Sequence, residues 1–139
     1  MEKKRLCAFV LIILLVISVQ VVAQNQGISD KIKNFLIKQT DRVVHYIEDM
    51  KLRIIESNYF TPEEKDGIES NLDSYIEYFE NKKQEINSSE SIAEIRIIVR
   101  DLKEKWTKLE KYRNSLRGLI YVLKFEDIVK KSKKPIREN

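Results

Sequence analysis

Ser91-Ile-Ala-Glu-Ile-Arg-Ile-Ile-Val-Arg-Asp-Leu-Lys-Glu-Lys-Trp-Thr-Lys-Leu-Glu110 decides the fold. It opens with Ser-x-x-Glu, the capping-box pattern. The serine oxygen can accept from the fourth residue's backbone N–H while the glutamate reaches back. Apolar residues then recur at Ile92, Ile95, Val99, Leu102, Trp106 and Leu109, and again at Leu116, Ile120 and Leu123. Steps that alternate between three and four place them on one face of a long helix, as a coiled-coil seam requires. Arg113 falls on that face and interrupts it once. Either it meets an Asp or Glu of a neighbouring helix, or its stem packs and its head reaches solvent. The second is the expectation.

The segments upstream follow the same rule. Thr61-Pro-Glu-Glu64 is a second capping box, with Pro62 at the first helical position, where its missing N–H costs nothing. Ile68, Leu72, Tyr75, Ile76, Phe79 and Ile86 form its stripe, and the helix is expected to end near Asn87. The first helix is expected from Asp30 to Ser57 with Ser29 as N-cap. Its stripe is Ile32, Phe35, Leu36, Val43, Ile47, Met50 and Ile54, weakened in the middle by Gln39 and Thr40. The breaks at 58–60 and 87–90 are short, so successive helices should pack antiparallel. The expected fold is all-α, an elongated up-down-up three-helix bundle.

Phe60-Thr-Pro-Glu-Glu-Lys65, with Ile86 and Ser91-Ile-Ala-Glu-Ile-Arg96, resembles helix-opening motifs in small exported prokaryotic proteins that carry uncharacterised helical bundles. The likeness covers roughly residues 30–121. It implies a helical bundle and brings no activity to any named residue. Phe60-Thr-Pro-Glu-Glu64 also looks like the Leu-Thr-x-x-Gln element of periplasmic Spy/CpxP-type chaperones. Phe60 stands in place of the leucine and Glu64 in place of the glutamine.

Ahead of the bundle, Lys3, Lys4 and Arg5 precede an apolar run from Leu6 to Val22, and Val21-Val-Ala23 ends it. This is the three-part pattern of an export signal, with cleavage expected before Gln24. An uncleaved anchor is the alternative, because the 17 residues from Leu6 to Val22, broken only by Ser18 and Gln20, are just enough for a bilayer core. Cys7 lies too early in the run for lipid modification. The expected organisation is a signal or anchor at 1–23, a bundle at 24–125 and a basic tail at 126–139. Beyond residue 23 there is no cysteine, so packing alone must hold the chain. Residues 24–123 carry 17 basic and 18 acidic side chains, whereas Lys124–Asn139 carries six basic and three acidic. The basic character is terminal. With export, that argues against nucleic acid as a partner.

The residue inventory points away from catalysis. His45 is the only histidine, lies off the stripe and is read as a surface residue. No nucleophile–base constellation or phosphate loop can be built around it. Thus no catalytic, cofactor-binding or metal-ligating residue is assigned, and no cofactor is expected. Glu63, Glu64, Asp66 and Glu69 cluster at a helix start, where the helix dipole favours acids without any metal. Trp106, Tyr75 and Phe79 are read as packing residues rather than a ligand cage. Asn87-Ser-Ser89 matches a glycosylation acceptor in an expected interhelical turn, and a plain turn with a capping serine is the simpler reading.

The least ordinary segment is Leu119-Ile-Tyr-Val-Leu-Lys-Phe125, apolar on nearly every side. By length, the third helix should pass the end of the second near Arg117. The segment is then expected to fold over the bundle end and bury Tyr59 and Phe60. Any surface left open would be a contact site: Tyr59, Phe60, Leu119, Ile120, Tyr121, Val122 and Phe125, helped by Lys130, Lys131, Lys133 and Lys134. The expected function is that of a non-enzymatic exported binding or structural module at the cell envelope. Its partner would be a protein or an anionic envelope component, with membrane contact added if the N-terminal segment stays attached. An envelope chaperone or stress sensor is the alternative, and an enzyme without recognisable motifs comes next.

Overall fold

The computed structural model describes residues 30–132. The apolar N-terminal segment, Ser29, Lys133 and Lys134 lie outside the described residues. Three helices make up the described part: α1 (Asp30–Glu56), α2 (Pro62–Ser88) and α3 (Ile92–Ser132). The fold is an all-α three-helix bundle, and among the described residues there is no strand.

The expected capping box at Thr61 forms in full, and the one expected at Ser91 forms by half. The Thr61 backbone N–H donates to Glu64 Oε2 at 2.8 Å, and the Glu64 N–H donates to Thr61 Oγ1 at 3.2 Å. At the start of α3 the Glu94 N–H donates to Ser91 Oγ at 3.2 Å, but Glu94 reaches one residue further back, to the Glu90 N–H at 2.8 Å. The end of α2 runs to Ser88 because hydroxyls satisfy its last carbonyls. Ser89 Oγ donates to the Glu85 carbonyl at 2.6 Å, and Ser88 Oγ to the Gln84 carbonyl at 3.1 Å.

Cross-helix contacts fix the topology. Lys33 donates to the Asn87 carbonyl, Lys83 pairs with Asp41, Lys51 with Asp73, and Lys65 reaches the Ile55 carbonyl. These partners run in opposite directions along α1 and α2, so the two helices are antiparallel. Lys82–Asp101 at 3.3 Å and the stacked rings of Tyr75 and Tyr112 at 6.3 Å make α2 and α3 antiparallel as well. Tyr46 of α1 meets Trp106 of α3 with ring centroids 5.8 Å apart. Burial works against the Lys82 charge, but its hydrogen bonds to Glu85 and Asp101 outweigh burial and raise its pKa. Surface pairs of this kind are each worth ~0–1 kcal/mol, so they set register more than stability.

Stability comes from the apolar column. Ile47, Leu72, Phe79, Ile86 and Leu109 are fully enclosed, and all of them lie on the expected stripes. The weak middle of α1 is solved locally: Thr40 is buried and its hydroxyl donates to the Leu36 carbonyl at 2.9 Å. Phe35, expected on the stripe, is exposed. Val44 of α1 and Ile98 of α3, which lie outside the expected stripes, are buried. Broad interhelical faces accept neighbours of the strict seam, which is why these two positions turn inward.

The end of the bundle differs from expectation. Residues 119–125 do not fold over it; α3 continues through Gly118 to Ser132. No proline or capping group stops it there, and a continuing helix keeps every backbone N–H and C=O paired. Lys124 lies over the Tyr59 ring at 5.5 Å, so α3 passes the first interhelical turn near Lys124, about two turns later than Arg117. Phe60 is buried by the core itself.

Leu109→Asp is expected to abolish cooperative unfolding, because it places an unpaired charge in a fully enclosed site. Thr61→Ala should cost about 1 kcal/mol through loss of one cap. Gly118→Ala should stabilise by ~0.5–1 kcal/mol, since an added Cβ meets nothing within 4 Å and the position is helical. Urea denaturation followed by circular dichroism checks all three.

Candidate interaction surface

α3 has 41 residues and α2 has 27. At ~1.5 Å per residue that is roughly 61 Å against 40 Å, so the last turns of α3 have no α2 beside them. Two apolar faces coexist on this overhang. Ile120 and Leu123 lean on the core. Leu119, Tyr121, Val122, Phe125 and Ile128 point outward and are exposed, Phe125 at 68%. That explains why the sequence there is apolar on nearly every side: one set continues the core stripe while the second set begins on another face. Each such side chain gives up ~1.5–3 kcal/mol of burial by remaining in water.

Of the residues singled out in the sequence, the structure brings Tyr59 to this end with Leu119, Tyr121, Val122 and Phe125 in the open. Tyr59 is exposed beneath the Lys124 ammonium. Phe60 is enclosed and takes no part in the exposed surface, and Ile120 is half-covered. Lys130 and Lys131 follow on the last turn, with Lys131 paired to Asp127 at 2.7 Å. Ile128 also belongs to the surface, although sequence reasoning did not include it. Its spacing of three from Phe125 and seven from Tyr121 is the signal that could have found it.

Charge is partitioned between helices. α2 carries three basic and eight acidic residues, while α3 carries eleven basic and six acidic. The chain's middle is neutral only on average: folding puts an acidic helix and a basic helix on separate outer faces.

Other candidates resolve into structure. Arg113 does reach a neighbouring helix, through Nη1 to the Tyr46 hydroxyl at 2.9 Å, and its acidic partner is Glu110 of its own helix at 2.8 Å. A solvent-directed head is therefore not what forms; the hydroxyl of Tyr46 supplies an acceptor where the sequence suggested only carboxylates. Lys105 sits 4.8 Å from the Tyr75 ring centre and 4.6 Å from that of Tyr78, so the chain's own ammonium occupies the aromatic seat. Trp106 and Phe79 pack at the core. Asn87 is exposed in the last turn of α2 rather than in the turn that follows, and its carbonyl accepts from Lys33 at 3.0 Å. Among the described residues, no three His, Cys, Asp or Glu side chains are grouped to hold a metal. No helix among them is long and apolar enough to cross a membrane. No family model, no curated protein and no solved structure matches the chain.

His45 stands on the surface with Nδ1 2.9 Å from Glu48 Oε2. The hydrogen bond to Glu48, then its charge, raise the His45 pKa, with smaller help from Asp49 and Asp41. The protonated form is the one favoured, so the interaction is present at low pH and lost as pH rises through the raised pKa. An NMR titration should place His45 above its ordinary value of about 6.5, and Glu48→Gln should bring it back toward that value.

Proposed function

We propose that this protein is an exported, non-enzymatic helical module of the cell envelope that works by binding, with the overhang of α3 as its contact surface. The observation that carries the reading is the row Leu119, Tyr121, Val122, Phe125 and Ile128, open to solvent on a helix that outruns its neighbours. A monomeric surface normally avoids grouped large apolar side chains, so their grouping favours a partner. The basic composition of 124–139 favours an anionic one. Export is supported by the sequence of residues 1–23 alone, with its basic start, apolar run and small residues before Gln24. A binding role suits a chain whose single histidine is a surface residue tied to Glu48.

The exposed apolar row also favours a second reading, an envelope chaperone that holds unfolded chains. The two differ in breadth. A holdase should suppress aggregation of several unrelated denaturing clients, whereas a binding module should not.

Truncation after Arg117 is the test of the overhang. The expected result is loss of envelope retention with the helical core still folded by circular dichroism, because Leu109 and Leu116 remain. Retention unchanged at low salt would refute the reading. Mass spectrometry of the same fraction should find an N-terminus at or near Gln24, and intact Met1 in soluble cytosol would refute export.

A further inference from the structure

The basic residues of α3 are not scattered. On the face turned away from the core, Arg96, Arg100, Lys103 and Lys111 follow one another at steps of four, three and eight, and all are exposed. The same line continues at steps of three and four into Tyr121, Phe125 and Ile128. Thr107, Asn114 and Gly118 fill the places between; the acids that border the line are paired, Glu104 with Lys108, Glu110 with Arg113 and Asp101 with Arg100, and none follows on it from Lys111 to Ser132. It spans 36 residue steps, roughly 54 Å of one helix. The opposite face of α3 is committed to the core through Ile95, Leu102 and Leu109.

We propose that this outward face of α3 lies flat on an anionic lipid bilayer. Arg96, Arg100, Lys103 and Lys111 rest on the headgroups, and Tyr121, Phe125 and Ile128 enter the boundary between headgroups and acyl chains. The inference rests on the binding-module reading above and names its partner. Charge complementarity selects an anion, and the apolar end selects what kind. A soluble polyanion offers nothing to Tyr121, Phe125 and Ile128, whereas a bilayer offers phosphate and hydrocarbon along one flat front. The helix lies on the membrane and does not cross it, and since its core face stays packed on α1 and α2, binding requires no unfolding. The acidic α2 resists the reverse orientation.

A second copy of the chain is a poorer occupant. The apolar part runs only from Gly118 to Ser132, two heptads, which is short for a stable helix pair. Arg117, Lys124 and Lys131 flank it at steps of seven, so antiparallel pairing would set like charges against one another.

The test uses the protein purified from its host's envelope with whatever N-terminus it carries, and a Phe125→Trp variant of it. Trp106 is the only tryptophan in the natural chain and supplies a constant background. Vesicles of phosphatidylglycerol and phosphatidylcholine should shift the emission of the introduced indole to the blue, and brominated acyl chains should quench it; pure phosphatidylcholine should do neither. Replacing Arg96, Arg100, Lys103 and Lys111 with Gln on that background should weaken partitioning roughly fivefold per cation at low salt, several hundredfold for the four. Circular dichroism confirms that this surface variant stays folded, and 0.5 M salt should weaken the Phe125→Trp protein alike.

Unchanged emission of the introduced indole on anionic vesicles overturns the proposal, as does an equal response on phosphatidylcholine. An equal shift on polyphosphate without acyl-chain quenching points to a soluble polyanion, and a concentration-dependent shift without vesicles points to self-association. Either overturns the lipid assignment while leaving the binding-module reading intact. Failure of that reading shows separately, as unchanged envelope retention after truncation at Arg117.

Discussion

Enclosure of a single apolar column between three helices is the constraint from which everything else follows. Ile47, Leu72, Phe79, Ile86 and Leu109 are sealed within it, and past residue 23 no disulfide is available to help. A helix pair cannot seal such a column on all sides, so α3 closes it, meeting α2 through Tyr112 and Asp101 and α1 through Trp106 and Arg113. The two buried hydroxyls, Thr40 and Ser89, have partners in hand: Thr40 bonds back to Leu36, and Ser89 to Glu85. For these two hydroxyls, polar burial is met within a single turn.

Around the column, ionic contacts act as a register. Lys82 joins Glu85 and Asp101, and Lys83 joins Asp41 and Glu80. Each lysine bridges its own helix to a neighbour, so a slip of one turn would break the cross-helix partnership. For Lys83, burial opposes the charge while hydrogen bonds to Asp41 and Glu80 prevail and raise its pKa. Arg113 works similarly between Glu110 and Tyr46, turning an interruption of the apolar seam into a cross-helix tie.

Because the column ends with α2, the extra length of α3 is released from packing. Its apolar residues then divide into a set that finishes the core, Ile120 and Leu123, and a set that faces water, Tyr121, Val122, Phe125 and Ile128. The same separation of faces sorts charge, giving α2 an acidic exterior and α3 a basic one. A chain that is neutral through its middle thereby acquires a polar orientation, which a binding surface can use.

Helix number, helix starts and most of the core were legible in the sequence, since periodicity and capping are local and Ile68, Leu72, Ile95, Leu102 and Leu109 needed no knowledge of the partner helix. The same local logic read Thr61 and Ser91 correctly. It misplaced Phe35 and overlooked Val44 and Ile98, because which flank of a stripe turns inward depends on the angle at which neighbours approach. It also expected 119–125 to fold over the end, treating apolar content as a demand for burial. Only the tertiary structure decided that the helix runs on through Gly118, as no local signal stops it and backbone pairing favours continuation. The acceptor for Arg113 was likewise decided there, for it depends on which residues meet across helices rather than along one.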